Sequence, residues 1–397
     1  MKNTGLLDSN MRDAIALLRG WHPALSKSEL ISLIPKVNVK QDITSRMIQI
    51  TEISKSADLE QTLKISAGIE GILTPGKNIP WKGIESLKQC ITSFIGANDI
   101  PHGSMKVLSW NHGGKVLDFN HQSICEIIGG IFFERGAEID LHAPDNIFAV
   151  VIDNETLTIS FGWLVGIGSR FKGQTGNKAT ERPYFKPVSL DPILAKACVN
   201  IVSGPPQNDT MVLDLMCGTG GFLIEAACTG RRVLGIDSDK WMINGAKQNI
   251  VWALEKVDEI FDESRHILIT GDATNPEDYI GQLSGNGIHS VVFDPPYGRN
   301  SQGTIEHLQL VAKTLESLHT NANEDAQLIV FLPCEGAPVL IDREVTDEDN
   351  FAFTYASNDE VYSMIEKSGW SIRGRFFERV HRSLGRMIIH LTISPRD

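Results

Sequence analysis

The run Asp294-Pro-Pro-Tyr297 combines residue types that could position an amine for a chemical reaction. It follows Ser290 to Phe293, a β-branched and aromatic stretch that predicts a buried strand. Prolines donate no backbone hydrogen bonds, so the strand ends here, at the edge where open α/β sheets bind ligands. The Asp294 carboxylate and the Pro295 carbonyl then offer two fixed acceptors beside the Tyr297 ring, which suits a planar group with an amine, such as a nucleobase. Taken alone, the run is equally compatible with a polar turn.

A glycine-rich loop, Asp214-Leu-Met-Cys-Gly-Thr-Gly-Gly221, lies between a predicted strand and a predicted helix. Its glycines permit a tight turn and leave the amides of the helix start facing a ligand. The next predicted strands end at Asp237 and Asp272, and Asp237 lies about 20 residues beyond Asp214, where ribose-binding acids occur in dinucleotide folds. Each acid alone could cap a helix, but acids at four successive strand ends, Asp294 included, outline one ligand crevice.

Two features of the sequence decide which ligand is expected: a missing phosphate-loop motif and the acids at the strand ends. A phosphate loop of the G-x-x-x-x-G-K-[ST] type is absent from the sequence, which disfavours nucleoside triphosphate hydrolysis. A nicotinamide enzyme would carry the same glycines, but it would not explain Asp294-Pro-Pro-Tyr297, and an acid in the loop would repel a pyrophosphate. S-adenosylmethionine fits better, because it bears an ammonium and a sulfonium and no phosphate, and an acidic crevice attracts both cations.

The strands and helices that position these residues are predicted from Leu190 onward, where strand patterns and helix patterns alternate along the sequence. Strands joined by crossover helices predict a parallel, doubly wound sheet, and the last two strand patterns predict a closing hairpin. An acidic stretch, Asp342 to Asn350, has no assigned role. The predicted strands are Met211–Leu215, Arg232–Ile236, His266–Ile269, Ser290–Phe293, Gln327–Leu332, Trp370–Phe377 and Met387–Ile393.

The first 166 residues show an α+β pattern without catalytic spacing. Residues 70–80 are rich in glycine and proline and are expected to form a connection between two α+β units. Strand patterns at Ile147–Ile152 and Leu157–Val165 predict a hairpin. The stretch Gly166–Lys186 combines glycines, basic residues and aromatic residues, and it is equally compatible with a flexible linker and with a linker that contacts phosphates.

Composition limits the classes of protein that remain. The chain has 397 residues, 42% of them hydrophobic and 22% charged, which is typical of a globular protein with two or three domains. No apolar run reaches membrane-spanning length, and the start lacks the apolar stretch of a signal peptide. The six cysteines lie far apart and form no C-x-x-C pair, which favours reduced thiols in a cytoplasmic protein over disulfides or a zinc site. The net charge of −12 leaves nucleic-acid contacts to local basic patches.

These motifs together resemble the S-adenosylmethionine-dependent amino-methyltransferases. More narrowly, the segment from Arg182-Pro-Tyr-Phe-Lys to Ala195, the run Asp294-Pro-Pro-Tyr-Gly-Arg299 and the tail Arg379-Val-His-Arg-Ser-Leu-Gly-Arg386 resemble the archaeal tRNA guanine-10 N2-methyltransferases. The resemblance implies an α/β Rossmann-like class I methyltransferase domain, with a mostly parallel seven-stranded sheet and a C-terminal hairpin, after an α+β ferredoxin-like and THUMP half. The implied parts are a ferredoxin-like domain at 1–75, an RNA-binding THUMP domain at 76–168, a basic linker at 169–187 and the methyltransferase domain at 188–397.

The resemblance also implies an activity, the transfer of one or two methyl groups from S-adenosylmethionine to N2 of a guanosine, at position 10 of tRNA. A ribosomal RNA guanine-N2 methyltransferase and a non-catalytic RNA-binding protein on the same scaffold are the alternatives. The implied partner is tRNA, with no DNA and no membrane, for a monomer whose need for an activating protein stays open.

Site residues follow from the motifs and from the resemblance. Cys217 is interpreted as a small filler, not a nucleophile, and His381 as an RNA or structural contact. The predicted catalytic residues are Asp294, Pro295, Pro296 and Tyr297. The predicted cofactor-binding residues are Asp214, Cys217, Gly218, Thr219, Gly220, Asp237, Asp272, Ala273 and Asp294, with Asp237 at the ribose, Asp272 at the adenine amine and the Asp214 loop at the methionine end. The predicted RNA-binding residues are Arg170, Lys172, Lys178, Arg182, Arg299, Arg379, His381, Arg382 and Arg386, and no metal ligand is predicted.

Overall fold

The structure is a computed structural model that describes most of the chain, in two compact units, residues 1–173 and 174–397. Among its helices, none of those described combines the length and the apolar character needed to cross a bilayer. The described residues are 13–34, 37–51, 56–116, 118–166, 178–186, 190–207, 210–283, 287–296, 304–335, 340–381 and 384–394.

The first unit is built on one seven-stranded sheet with helices α1 to α4. Its strands lie in the order β2-β3-β1-β4-β7-β6-β5, and every pair is antiparallel except β5 with β6. The predicted hairpin is confirmed as β6 and β7. The elements are β1 (Ala14–Leu18), α1 (Pro23–Leu33), β2 (Asn38–Thr44), β3 (Met47–Thr51), α2 (Ser56–Ile65), β4 (Ile69–Pro80), α3 (Ile84–Ala97), β5 (Met105–His112), α4 (His121–Glu134), β6 (Asn146–Asp153) and β7 (Thr158–Val165).

The predicted connection at residues 70–80 is wrong, because these residues form β4, a central strand of the sheet. Its glycines and proline are accommodated by a register shift against β7 between Leu73 and Gly76. Gly162 on β7 makes the close approach possible, since a Cβ there would lie 2.2 Å from the carbonyl oxygen of Pro75. The expected division between residues 75 and 76 therefore falls inside a strand that β1 and β7 both flank.

The second unit confirms the predicted doubly wound sheet. Its strands lie in the order β10-β9-β8-β11-β12-β15-β14, with the two-residue strand β13 beside β12. Strands β8 to β12 are parallel, and β15 runs antiparallel to β12 and β14 as the expected closing hairpin. The elements are α5 (Pro192–Ser203), β8 (Met211–Asp214), α6 (Gly221–Ala227), β9 (Arg232–Asp237), α7 (Lys240–Glu255), β10 (His266–Thr270), β11 (Ile288–Phe293), α8 (Thr304–Asn321), β12 (Ala322–Glu335), β13 (Ala352–Phe353), α9 (Asn358–Lys367), β14 (Trp370–His381) and β15 (Leu384–Ile393).

The acidic stretch after β12 is fastened to β14. Val345 donates its amide to the Arg375 carbonyl, and Asp347 forms an ion pair with the Arg375 side chain. Arg343 binds Asp349 within the loop, with a nitrogen–oxygen distance of 2.8 Å. Two acids of this stretch, Asp347 and Asp349, are thus paired with arginines, and the Asp347 pair ties the loop to β14.

The core of the second unit is tightly packed where β9 passes beneath α6. A Cβ on Gly235 would lie 2.3 Å from Leu223 Cδ1 and 2.8 Å from Leu268 Cδ2, and Cys217 Sγ lies 3.3 Å from the same point. Glycine therefore lets the helix and the glycine-rich loop approach the strand that carries Asp237.

We predict that Gly235→Ala lowers the free energy of unfolding by about 1–3 kcal/mol, because the added methyl group overpacks this core. Gly281→Ala is the matched control, since a methyl group there meets no atom within 4 Å. Denaturant unfolding of both variants measures the difference. Equal stabilities would contradict the packing argument.

Candidate active site at the carboxyl ends of the parallel strands

The acids predicted to share a crevice lie at one edge of the second sheet. Strands β10, β9, β8 and β11 are parallel neighbours, with Asp237 paired to Thr270 and Val292 paired to Asp214. Their carboxyl ends therefore meet, and the strand order reverses between β8 and β11, where ligands bind in such sheets. The structure thus brings together the strand ends that the sequence analysis assigned to one site.

Asp214 is the most buried acid at this edge, with 1% of its surface exposed. Burial raises the pKa of its carboxyl well above the ordinary value, and the charges of Asp237 and Asp294 raise it further. The Met216 amide donates to Asp214 Oδ1 at 3.3 Å and opposes the shift. Three strand-end carboxylates therefore repel one another across the switch point.

The glycine-rich loop is fastened to Asp237. The Gly218 amide donates to Asp237 Oδ2 and the Asp239 amide donates to Oδ1, each at 2.9 Å. Gly218 and Gly220 have φ angles of 50° and 81°, which side chains rarely adopt. A Cβ on Gly218 would meet no atom within 4 Å, so the loop borders open space at the strand edge.

Cys217 lies in this loop and packs on Gly235, with 4% of its surface exposed. Burial and the nearby carboxylates raise the pKa of its thiol well above the usual range. The sulfur is therefore a neutral thiol at neutral pH, which agrees with the interpretation of Cys217 as a filler.

Asp272 and Ala273 form the turn after β10. The Thr274 amide and hydroxyl donate to Asp272 Oδ1 at 2.9 and 2.8 Å, and Asp272 is exposed while Ala273 is buried. Asp272 therefore shapes this turn, and its predicted contact with the adenine amine stays a prediction.

Asp294 is half-buried directly after β11, followed by buried Pro295 and exposed Pro296. Arg386 Nη1 lies 3.6 Å from Asp294 Oδ2 and 3.6 Å from Glu378 Oε2. Arg386 is 8% exposed, so the expectation that it contacts RNA phosphates at the surface is corrected: it is an ion-pair partner of the predicted catalytic acid.

Arg182 is also corrected, because it is 4% exposed and cannot reach RNA phosphates. Burial lowers the pKa of its guanidinium, and the charges of Glu225 and Asp191 act in the opposite direction. Glu225 is itself 2% exposed, with Lys196 Nζ at 3.9 Å from its Oε2. Arg182 therefore belongs to a buried charge cluster beside α6.

Of the other predicted RNA contacts, Lys178 and Arg379 are exposed and stay predictions. The remaining predicted site residues lie outside the described residues: Tyr297, Arg170, Lys172, Arg299, Arg382 and the side chain of His381.

Asn249 on α7 holds the glycine-rich loop of the candidate site, and the sequence analysis did not single it out. It is fully buried, and its amide group accepts from the Tyr184 amide and donates to the Tyr184 carbonyl, each at 2.9 Å. The same NH2 group donates to the Thr219 carbonyl of the glycine-rich loop at 2.9 Å. Asn249 therefore ties the segment 182–186 to the loop. The available signal was an amide on the apolar face of α7, level with Ala246, Ile250 and Ala253.

Comparison with known proteins agrees with this geometry. A family profile described as RMKL-like, methyltransferase domain matches residues 180–339. The tRNA (guanine(10)-N2)-dimethyltransferase of Pyrococcus abyssi is 30% identical over 264 residues, 66% of each chain. That of Methanothermobacter thermautotrophicus is 30% identical over 273 residues, 68% of each chain, so the alignments span about two thirds of these relatives. The tRNA (guanine(10)-N(2))-methyltransferase of Saccharomyces cerevisiae is 31% identical over 176 residues, 41% of this chain and 38% of that protein.

The chain belongs to the tRNA (guanine(10)-N2)-dimethyltransferase family. Its second unit contains the S-adenosylmethionine-dependent methyltransferase domain, which the profile matches at residues 180–339, and the sheet order described above is the Rossmann-like arrangement predicted from the sequence.

The residues at the strand edge fit S-adenosylmethionine. The open space at Gly218 lies where backbone amides and a tight turn can receive the amino-acid end of a ligand. Asp214, Asp237 and Asp294 form an anionic edge that attracts an ammonium and a sulfonium and would repel a phosphate. In this family member, Asp237 and the loop it holds are therefore suited to the ribose and methionine portions of the cofactor.

We predict that Asp214→Asn raises the melting temperature of the cofactor-free protein at pH 8 by several degrees. The folded-state pKa of Asp214 lies above the unfolded value, so burial of the charge costs stability above the folded pKa, and the cost disappears as pH falls towards about 4. Asparagine keeps the oxygen that accepts from Met216.

Melting curves between pH 4 and pH 8 test this, with Glu324→Gln as a control that removes an exposed acid. A difference between Asp214→Asn and wild type that stays constant with pH would refute the assignment of the cost to ionisation.

We also predict that Asn249→Ala weakens S-adenosylmethionine binding by roughly tenfold, because the hydrogen bond that holds the Thr219 carbonyl of the loop is lost together with the two that hold Tyr184. Only the bond to the loop acts on the cofactor site directly, and one hydrogen bond contributes about 1 kcal/mol, close to the 1.4 kcal/mol of a tenfold change. Titration calorimetry measures the affinity, and Gln248→Ala, an exposed neighbour on α7, is the control. Unchanged affinity in the Asn249 variant would show that the loop holds its shape without the amide.

Proposed function

We propose that this protein transfers one or two methyl groups from S-adenosylmethionine to the exocyclic N2 of the guanosine at position 10 of tRNA. The observation that carries the proposal is the position of Asp294 and Pro295 at the switch point of the sheet, beside the carboxylates of Asp214 and Asp237. The family relatives act at this guanine by name.

The exocyclic amine of guanine is a poor nucleophile, and the protein must fix its direction. The Asp294 carboxylate and the Pro295 carbonyl accept its two hydrogen bonds, which aims the nitrogen at the methyl donor. S-adenosylmethionine, when bound, supplies an electrophilic methyl group on a sulfonium. Such juxtaposition of reactants can contribute on the order of 7–11 kcal/mol to the barrier reduction. The guanosine must leave its stack to reach Asp294, at a cost of a few kcal/mol, which Tyr297 offsets by stacking.

The proton balance also falls to Asp294. As the N–C bond forms, the amine nitrogen becomes acidic and releases one proton, which the Asp294 carboxylate accepts and passes to water. Cys217 takes no part in this step, because its thiol is buried and protonated.

We propose that the first unit supplies RNA affinity. Within this unit, the part from α3 to β7 acts as a THUMP domain that shares the sheet with the preceding strands, and the 3′ end of tRNA is its anchor. The net charge of −12 favours recognition through local basic residues, among them the exposed Lys178 and Arg379. We also propose that the protein is cytoplasmic and acts on tRNA as a monomer, with no DNA or membrane partner.

The test is incubation with unmodified tRNA and labelled S-adenosylmethionine, followed by nucleoside mass spectrometry. We expect N2-methylated guanosine that disappears when position 10 is changed to adenosine, and slower methylation of a transcript without its 3′ end. Asp294→Asn should lower turnover at least a hundredfold, because general-base contributions of 10²–10⁴-fold are typical, and it should leave cofactor affinity within a few-fold.

Three outcomes would contradict the proposal in different ways. Methylation of ribosomal RNA alone would favour the ribosomal alternative. Cofactor binding without transfer to any RNA would favour a non-catalytic binding protein. Turnover by Asp294→Asn within tenfold of wild type would remove Asp294 from the chemistry.

A further inference from the structure

Arg386 reaches the active site from a strand that is two positions away from β11. Phe293, the last residue of β11, pairs with Val330, but β12 continues to Glu335 and β15 runs beside it. Arg386 pairs with Pro333 on this extension. The hairpin therefore extends beyond the end of β11 and places a guanidinium level with the acid that follows it.

Glu378 holds the other side of the guanidinium. It stands directly opposite Arg386 in the register of β14 with β15, where opposite charges attract. Arg386 Nη1 lies 3.6 Å from one carboxylate oxygen of each acid, so one buried cation is shared by Asp294 and Glu378. The closing hairpin thus contributes a charge pair to a site whose other residues come from parallel strands.

We propose that Arg386 and Glu378 are positioning residues for methyl transfer: Arg386 keeps the Asp294 carboxylate ionised and oriented, and Glu378 fixes Arg386 and limits its pull on Asp294. This inference rests on the proposed function of the same site.

The charges around Asp294 give the reason for such a pair. Asp214 faces Asp294 from β8, and Asp237 faces Asp214 from β9. Asp191, at the start of α5, faces Glu378 together with Asp294 and Arg386. Carboxylates that lie this close together disfavour one another's ionised form. A cation within ion-pair distance favours the ionised form. Asp294 must be ionised to accept the amine hydrogen bond and then the proton, so the guanidinium acts on both steps.

Sharing the cation with Glu378 keeps Asp294 basic enough to accept the proton. If Arg386 were paired with Asp294 alone, the Asp294 carboxylate would be a weaker base, because an unshared cation stabilises its ionised form more strongly. When the proton passes from the methylated amine nitrogen to Asp294, Arg386 keeps Glu378 as its counter-ion, and the proton then leaves Asp294 to water. Arg386 and Glu378 therefore form and break no covalent bond during methyl transfer. They remain ion-paired and keep the net charge around Asp294 balanced.

The test is the pH dependence of tRNA methylation at saturating substrates for wild type, Arg386→Gln and Glu378→Gln. Arg386→Gln should move the acidic limb of the kcat profile to higher pH by about one unit or more, because a stabilising cation is lost. Glu378→Gln should move the same limb to lower pH, because the charge of Arg386 is then paired with Asp294 alone. Arg386→Lys should restore part of the shift, and S-adenosylmethionine affinity should stay within a few-fold throughout.

Arg373→Gln is the matched control, because it removes an exposed arginine from the same hairpin. The acidic limb of its kcat profile should coincide with that of the wild type. Should Arg386→Gln fail to fold, Glu378→Gln gives an independent reading of opposite sign. Unmoved limbs with lowered melting temperatures would overturn the inference in favour of a structural pair. A raised KM for tRNA with an unmoved limb would overturn it in favour of an RNA contact.

The same experiment separates this inference from the proposed function. Wild-type protein that forms no N2-methylated guanosine at position 10 would refute the function. Wild-type protein that forms it, with variants whose limbs do not move, would refute only the roles of Arg386 and Glu378.

Discussion

The repulsion among carboxylates at one edge of the sheet is the constraint on which the site depends. Parallel strands bring Asp214, Asp237 and Asp294 together because their carboxyl ends meet, and burial of Asp214 makes the repulsion costly. We expect the sulfonium and the ammonium of bound S-adenosylmethionine to relieve part of that cost, which would couple cofactor binding to the stability of the sheet edge.

The neighbouring backbone converts this charge pattern into shape. Asp237 accepts a hydrogen bond from the Gly218 amide. Asn249 accepts a hydrogen bond from the Tyr184 amide and donates one to the Thr219 carbonyl. The glycine-rich loop is thus held from the strand side and from the helix side. Its shape follows from hydrogen bonds to buried or half-buried partners, which water cannot easily replace.

The extended hairpin gives the site its asymmetry. The parallel strands contribute acids, and the antiparallel β15 contributes a buried cation that only Asp294, among the three acids, has at ion-pair distance in the described residues. This difference agrees with the proposed roles, in which Asp294 accepts the proton and the other two acids contact the cofactor. Asp294 differs from the other two acids because β12 and β15 extend beyond the end of β11 and bring Arg386 level with it.

Local patterns were sufficient to predict the strands of the second sheet, the glycine-rich loop and the acids at the strand ends, because alternation, turn residues and prolines act on neighbours in the chain. They could not distinguish an arginine that faces solvent from one that is buried, and Arg182 and Arg386 were assigned to RNA for that reason. Nor could they show that residues 70–80 form β4, since partners far along the chain accommodate its glycines and proline. The sequence alone determined which residues could do the chemistry; tertiary packing decided which charges meet, because ion pairs between strands depend on register and burial.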